Sequence, residues 1–131
     1  MTDSETDPGH HHTFIFDRSD TNIGGNYNHH TGIFTSTESG VYVFSWTVVC
    51  YQGSFISSQL IVNSDVQGAI VCRSIYQHPE YNFMNTASSA VVLQLNSGDV
   101  VYVRTHPTNS IIGQIYSGEQ SRTSFTGWKI I

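Results

Sequence analysis

Positive charge is scarce in this sequence, and so is charge of either sign. Five of its 131 residues are Lys or Arg, ten are Asp or Glu, and charged residues make up 11% of the chain. An average soluble domain carries about 25%, so uncharged polar residues must cover most of this surface. The formal net charge of −5 excludes the basic surface that binds nucleic acid. It also argues against anionic membranes as partners.

Long apolar runs are absent as well. No segment approaches the roughly 18 to 20 apolar residues of a transmembrane helix, so we expect no membrane insertion. Residues 1–12 lack the apolar core of a signal peptide, which leaves two options: a signal has been removed, or the protein is cytosolic. The same residues are acidic and then histidine-rich, and we predict a disordered tail there. Residues 13–131 then form one domain.

Cysteine is limited to Cys50 and Cys72, and two interpretations stand. A disulfide would close a loop of about 22 residues and contribute about 3 kcal/mol. Two buried thiols in neighbouring strands are the simpler interpretation, because free cysteine is among the most buried residue types.

Signatures of catalysis and of metal binding are missing. The sequence has no G-x-S-x-G, no H-E-x-x-H and no reactive Cys–His pattern, so we expect no enzymatic activity and no catalytic residue. His29 and His30 are adjacent, which is the wrong spacing for a pair of metal ligands four residues apart on a helix. We therefore predict no metal site in the chain.

What the sequence does contain is a β pattern from residue 13 onward. The clearest strand is 41–51, where alternate bulky residues share a face that should point into the core. Short strands with Gly and Asn turns indicate an all-β barrel or two-sheet sandwich. The predicted strands are 13–17, 32–35, 41–51, 55–62, 66–74, 86–95, 100–105, 111–116 and 122–131, and the longest predicted loops are 20–32 and 75–85.

Four ordered blocks of sequence resemble the C1q domain family over residues 14–131. They are FD and TNIGGNYN in 16–28, TGIFT and GVYVF in 31–44, ASSAVVL to VYV in 87–103, and SFTGW in 124–128. The resemblance implies a ten-stranded jelly-roll sandwich of the C1q/TNF-like class, extracellular location and a homotrimer. Since Gly-X-Y triplets of a collagen stalk are absent, the chain is similar to head-only forms, which in invertebrates imply lectin-like recognition.

The resemblance also raises calcium, which some family members bind just before the third block. Here that segment offers the amide oxygens of Asn82 and Asn85, and Glu80 is the only acid close by. Calcium prefers several charged oxygen ligands, so we expect no cofactor and no strong calcium site.

The loop at 76–85 is the best candidate for ligand binding, because sugars are recognised by aromatic faces beside amide, carboxylate and hydroxyl groups. The alternative is that Tyr81 and Phe83 pack at the trimer interface. An arginine could pair with the carboxylate of an acidic sugar. The candidate ligand-binding residues are Tyr76, His78, Glu80, Tyr81, Asn82, Arg104, Asn109, Tyr116 and Arg122, with Glu119 beside them.

Two functions compete at this point. The first is a soluble pattern-recognition lectin of innate immunity that binds carbohydrate on microbial or cell surfaces, with trimer avidity compensating for weak single sites. The second is a trimeric signalling or matrix-assembly ligand for a protein receptor. A lectin should be displaced by free sugar, whereas a receptor ligand should have one high-affinity protein partner.

Overall fold

The computed structural model describes residues 1–17, 26–118 and 120–131, and these residues form two antiparallel five-stranded sheets. Within these ranges no helix could cross a membrane. The expected all-β, two-sheet jelly-roll architecture is confirmed. The strands are β1 Glu5–Thr6, β2 Tyr27–Asn28, β3 Ile33–Thr35, β4 Gly40–Tyr51, β5 Ser54–Val62, β6 Asp65–Ser74, β7 Met84–Leu95, β8 Val100–Thr105, β9 Gln114–Tyr116 and β10 Ser124–Lys129.

The first sheet is organised around β4. Strand β7 pairs with β4 over its whole length, while β10 and β9 pair with successive parts of it, and β1 follows β9. The second sheet has the order β2-β3-β8-β5-β6. Because β6 and β7 are the edges of different sheets and are consecutive in the chain, the loop between them joins the two sheets at one end of the sandwich.

The core lies between the sheets and follows from the alternation in β4. All five residues of its bulky face are buried, which confirms the predicted orientation. The second sheet supplies Ile56, Leu60 and Val103 to the same cluster. The Trp46 indole donates a hydrogen bond to Ser58 Oγ at 3.3 Å, so its one polar group is satisfied inside the core. The β4 residues of this face are Tyr42, Phe44, Trp46, Val48 and Cys50.

Several strand boundaries differ from the prediction. Residues 13–17 form no strand, although Thr13 makes a bridge with Arg104 and two phenylalanines of this segment enter the core. Strand β9 is shorter than the predicted 111–116 because Gly113 has φ of 88° and interrupts the extended backbone. Part of the predicted loop 20–32 lies outside the described residues, and the rest of it contains β2.

The prediction of a disordered tail at residues 1–12 is wrong. Met1 is only 8% exposed, β1 pairs with β9, and the backbone N–H of His12 donates to Thr105 Oγ1 at 2.8 Å. A hydrogen bond with Glu5 raises the pKa of His12 above its ordinary value, against the opposing effect of burial. These long-range contacts offset the entropy of ordering a polar segment, so it belongs to the domain.

Candidate ligand-binding site

A disulfide between Cys50 and Cys72 stands at the base of the 75–83 loop. The simpler interpretation of two free thiols in neighbouring strands is therefore wrong. Cys50 lies in β4 and Cys72 in β6, which belong to different sheets. Both cysteines are buried, so the bond crosses the core and fixes the two sheets together where the loop begins.

The loop between β6 and β7, residues 75–83, presents an exposed aromatic cluster. Tyr76, Tyr81 and Phe83 are 72%, 61% and 43% exposed. Phe83 lies 6.3 Å from each of the two tyrosine rings, and His78 lies 4.8 Å from Tyr81, measured between ring centroids. These spacings are typical of packed aromatic side chains. The structure thus brings three of the predicted residues, Tyr76, His78 and Tyr81, onto one accessible surface.

Polar contacts from the end of β4 position this loop. The Tyr51 hydroxyl donates to Asn82 Oδ1 at 2.6 Å, and the backbone N–H of His78 donates to Gln52 Oε1 at 2.9 Å. Tyr51 also stacks on Tyr116, with ring centroids 6.1 Å apart. Tyr51 connects the predicted residues Asn82 and Tyr116. From the sequence alone, Tyr51 is only the last residue of the predicted strand 41–51.

An open cleft of about 280 Å³ lies where the 75–83 loop begins, and Ile75 and Gln77 of that loop line it. Phe55, Ile75 and Ile112 give it apolar walls, while Arg73 and Gln77 supply polar groups. Arg73 was missed in the sequence analysis. Two sequence features could have identified it: Arg73 alternates with Val71 on the outward side of β6, and it lies just before the candidate loop.

Three of the predicted residues, Arg104, Asn109 and Arg122, lie away from the aromatic cluster. Arg104 is on β8, where its Nε donates to Gln59 Oε1 at 3.2 Å. Asn109 lies in the loop after β8, and its backbone N–H donates to His106 Nδ1 at 2.9 Å. Arg122 is exposed ahead of β10. In the described part of the chain, no hydrogen bond, ion pair or ring contact joins these three to the aromatic cluster. Glu119 is outside the described residues.

The segment considered for calcium does not fit that ion. Asn82 Oδ1 accepts from Tyr51, and Asn85 Oδ1 accepts from the backbone N–H of Thr86 at 2.9 Å. Glu80 is the only carboxylate near them in the chain, whereas calcium takes six to eight oxygen ligands. Across residues 1–17, 26–118 and 120–131, no group of three or more His, Cys, Asp or Glu residues could hold a metal ion.

Comparison with known proteins agrees with this architecture. The globular domain of zebrafish complement 1qA protein superposes with a TM-score of 0.63 at 17% identity, over 99% of this chain and 98% of that one. Eiger TNF from S. frugiperda gives 0.52 at 24% identity, over 77% of this chain and 64% of that one. A family model described as C1q domain matches residues 1–130. The chain therefore belongs to the C1q domain family.

Proposed function

We propose that this protein is a secreted, homotrimeric pattern-recognition lectin of innate immunity that binds carbohydrate on microbial or cell surfaces and catalyses no reaction. The exposed aromatic cluster of the 75–83 loop is the observation that supports this proposal most. Family membership is consistent with it, because C1q domain proteins are typically secreted, trimeric and non-enzymatic. The Cys50–Cys72 disulfide is also consistent with an oxidising, extracellular compartment.

The chemistry of the cluster suits a sugar better than a purely apolar ligand. Pyranose rings offer C–H faces that can lie on Tyr76 or Tyr81, and hydroxyls that can bond to the tyrosine hydroxyls and the Glu80 carboxylate. Each hydrogen bond exchanges against water and contributes only about 0.5 to 1.5 kcal/mol. We therefore expect single-site dissociation constants in the micromolar to millimolar range, with avidity supplied by the trimer.

An apolar row on the outer face of the first sheet supports trimer formation. Val92 and Trp128 both pair with Val43, on opposite sides of it, so the three side chains lie side by side across β7, β4 and β10. Val92 is 66% exposed and Trp128 is 53% exposed in the single chain. Burial of this row against other copies would remove an exposed apolar patch, which is otherwise uncommon on a monomer.

Light scattering at micromolar concentration tests the assembly. We expect a mass near three times the 14.6 kDa of the single chain. Trp128→Glu should shift the protein toward monomer, because the interface would bury an unpaired charge. Gln67→Glu, a control on the exposed edge strand β6, should remain trimeric. A wild-type mass equal to that of one chain would contradict the proposal.

Glycan-array binding tests the lectin function. The array should contain bacterial polysaccharides, neutral glycans and sialylated mucin, and each should be probed with and without a chelator and a competing free sugar. We expect binding that free sugar displaces and that the chelator leaves unchanged. Binding to no glycan in either condition would contradict the lectin function and favour a receptor ligand. Loss of binding on chelation would show that a metal is required.

A further inference from the structure

We infer that the cleft at the start of the 75–83 loop is a subsite for the carboxylate of an acidic sugar, such as a uronic or sialic acid, and that Arg73 binds it. The inference rests on the proposed lectin function and adds a ligand class and a residue to it. It replaces Arg104 and Arg122, the arginines that the sequence suggested for this role.

The position of Arg73 is set by strand pairing. It stands opposite Phe55 in the β5–β6 ladder, and Ile112 forms a bridge with Phe55 on the other side. Paired residues of an antiparallel ladder point to the same face, so the arginine lies beside an aromatic ring on the outer side of the second sheet. The loop adds Ile75 and Gln77 to the same cleft.

The guanidinium of Arg73 is available for a ligand. Among the residues that the structure describes, it has no hydrogen-bond or ion-pair partner, although its backbone oxygen accepts from Asn85 Nδ2 at 2.8 Å. The other Lys and Arg residues within 26–118 and 120–131 differ. Lys129 Nζ lies 2.8 Å from Glu38 Oε2, Arg104 donates to Gln59, and Arg122 is not one of the residues that line the cleft.

The surroundings favour a carboxylate over a sugar hydroxyl at this point. A guanidinium offers two parallel N–H donors that match the two oxygens of a carboxylate. Ile75 and Ile112 line the same cleft, and their apolar side chains offer the guanidinium no competing acceptor. Gln77 lies over Gly53, where a Cβ would come within 1.9 Å of Nε2. The absence of that Cβ lets the Gln77 amide lie at the cleft beside Arg73, where it can contact the ring hydroxyls.

Three variants on an array of matched neutral, carboxylated and sulfated glycans test the role of Arg73. Arg73→Gln should weaken binding to carboxylated glycans by about tenfold or more and leave neutral glycans unchanged. Arg73→Lys, which keeps the charge but loses the paired donors, should recover only part of the binding. Lys129→Gln removes the same charge at the opposite end of β4 and should behave as wild type. Stronger binding to sulfated than to carboxylated glycans would overturn the assignment to a carboxylate.

A second measurement works on single sites and does not depend on avidity. In NMR titrations of the wild type, glucuronate and N-acetylneuraminate should shift the Nε–Hε signal of Arg73, and their methyl esters should not. Suppose that the wild type binds glycans. If Arg73→Gln then binds carboxylated glycans as strongly as the wild type, or loses binding to neutral and carboxylated glycans equally, this inference fails and the lectin function stands. If the wild type binds no glycan and neither acid shifts the signal, both fail.

Discussion

Replacement of Phe44 by alanine is expected to lower the free energy of unfolding by about 3 to 5 kcal/mol. The ring is fully buried. Its centroid lies 5.3, 6.0 and 5.7 Å from the ring centroids of Phe34, Tyr42 and Phe125. Gly127 of β10 lies directly against it, since a Cβ there would come within 2.4 Å of the Phe44 ring. The rigid neighbours cannot collapse into the space, so the truncation leaves a cavity.

Urea unfolding at one fixed protein concentration measures this loss, because assembly makes apparent stability depend on concentration. Val71→Ala is the control, since Val71 is 51% exposed on β6 and should cost less than about 1 kcal/mol. A loss below about 1 kcal/mol for Phe44→Ala would contradict the packing described for β4.

Removal of the disulfide is expected to be the second large effect. The double variant Cys50→Ala/Cys72→Ala should lose about 3 kcal/mol of stability, because the bond closes a separation of 22 residues in the unfolded chain. It should also loosen the candidate site. Tyr51, which holds Asn82, directly follows Cys50, and Arg73 directly follows Cys72.

Urea unfolding and hydrogen exchange check these two consequences. We expect faster exchange of the backbone amides in residues 75–83 of the double variant, and weaker glycan binding even where the domain remains folded. An unchanged unfolding midpoint would contradict the stabilising role of the bond. Unchanged exchange in the loop would contradict its role in positioning the site.

The parts of the fold that local pattern determines could be predicted from the sequence. The alternation in 41–51 identifies the core face of β4. The break between the predicted strands 55–62 and 66–74 falls at Asn63 and Ser64, which both take positive φ. Segment 1–12 could not be interpreted in this way. Its order depends on pairing with β9, more than 100 residues away in the chain, and its polar composition contains no sign of that partner.

The candidate site shows the same division. Tyr76, His78 and Tyr81 are near neighbours in sequence, so their clustering on one loop was predictable. Tyr51 and Arg73 come from the ends of strands in different sheets, and only the folded chain brings them to the loop. Arginines on outward strand faces look alike in the sequence, so the sequence contains nothing that favours Arg73 over Arg104.

Binding of the Tyr76→Ser/Tyr81→Ser variant to a glycan-coated surface, measured beside the wild type, tests the central claim most directly. Both side chains are more than half exposed in the single chain, so the unfolding midpoint should change little. A loss of trimer mass in this variant would place the two tyrosines at the interface between copies instead. We predict that the wild type binds, that free sugar displaces it, and that the variant binds at least about tenfold more weakly. Equal binding by the two proteins, or no glycan binding by the wild type, would contradict the claim that this loop recognises carbohydrate.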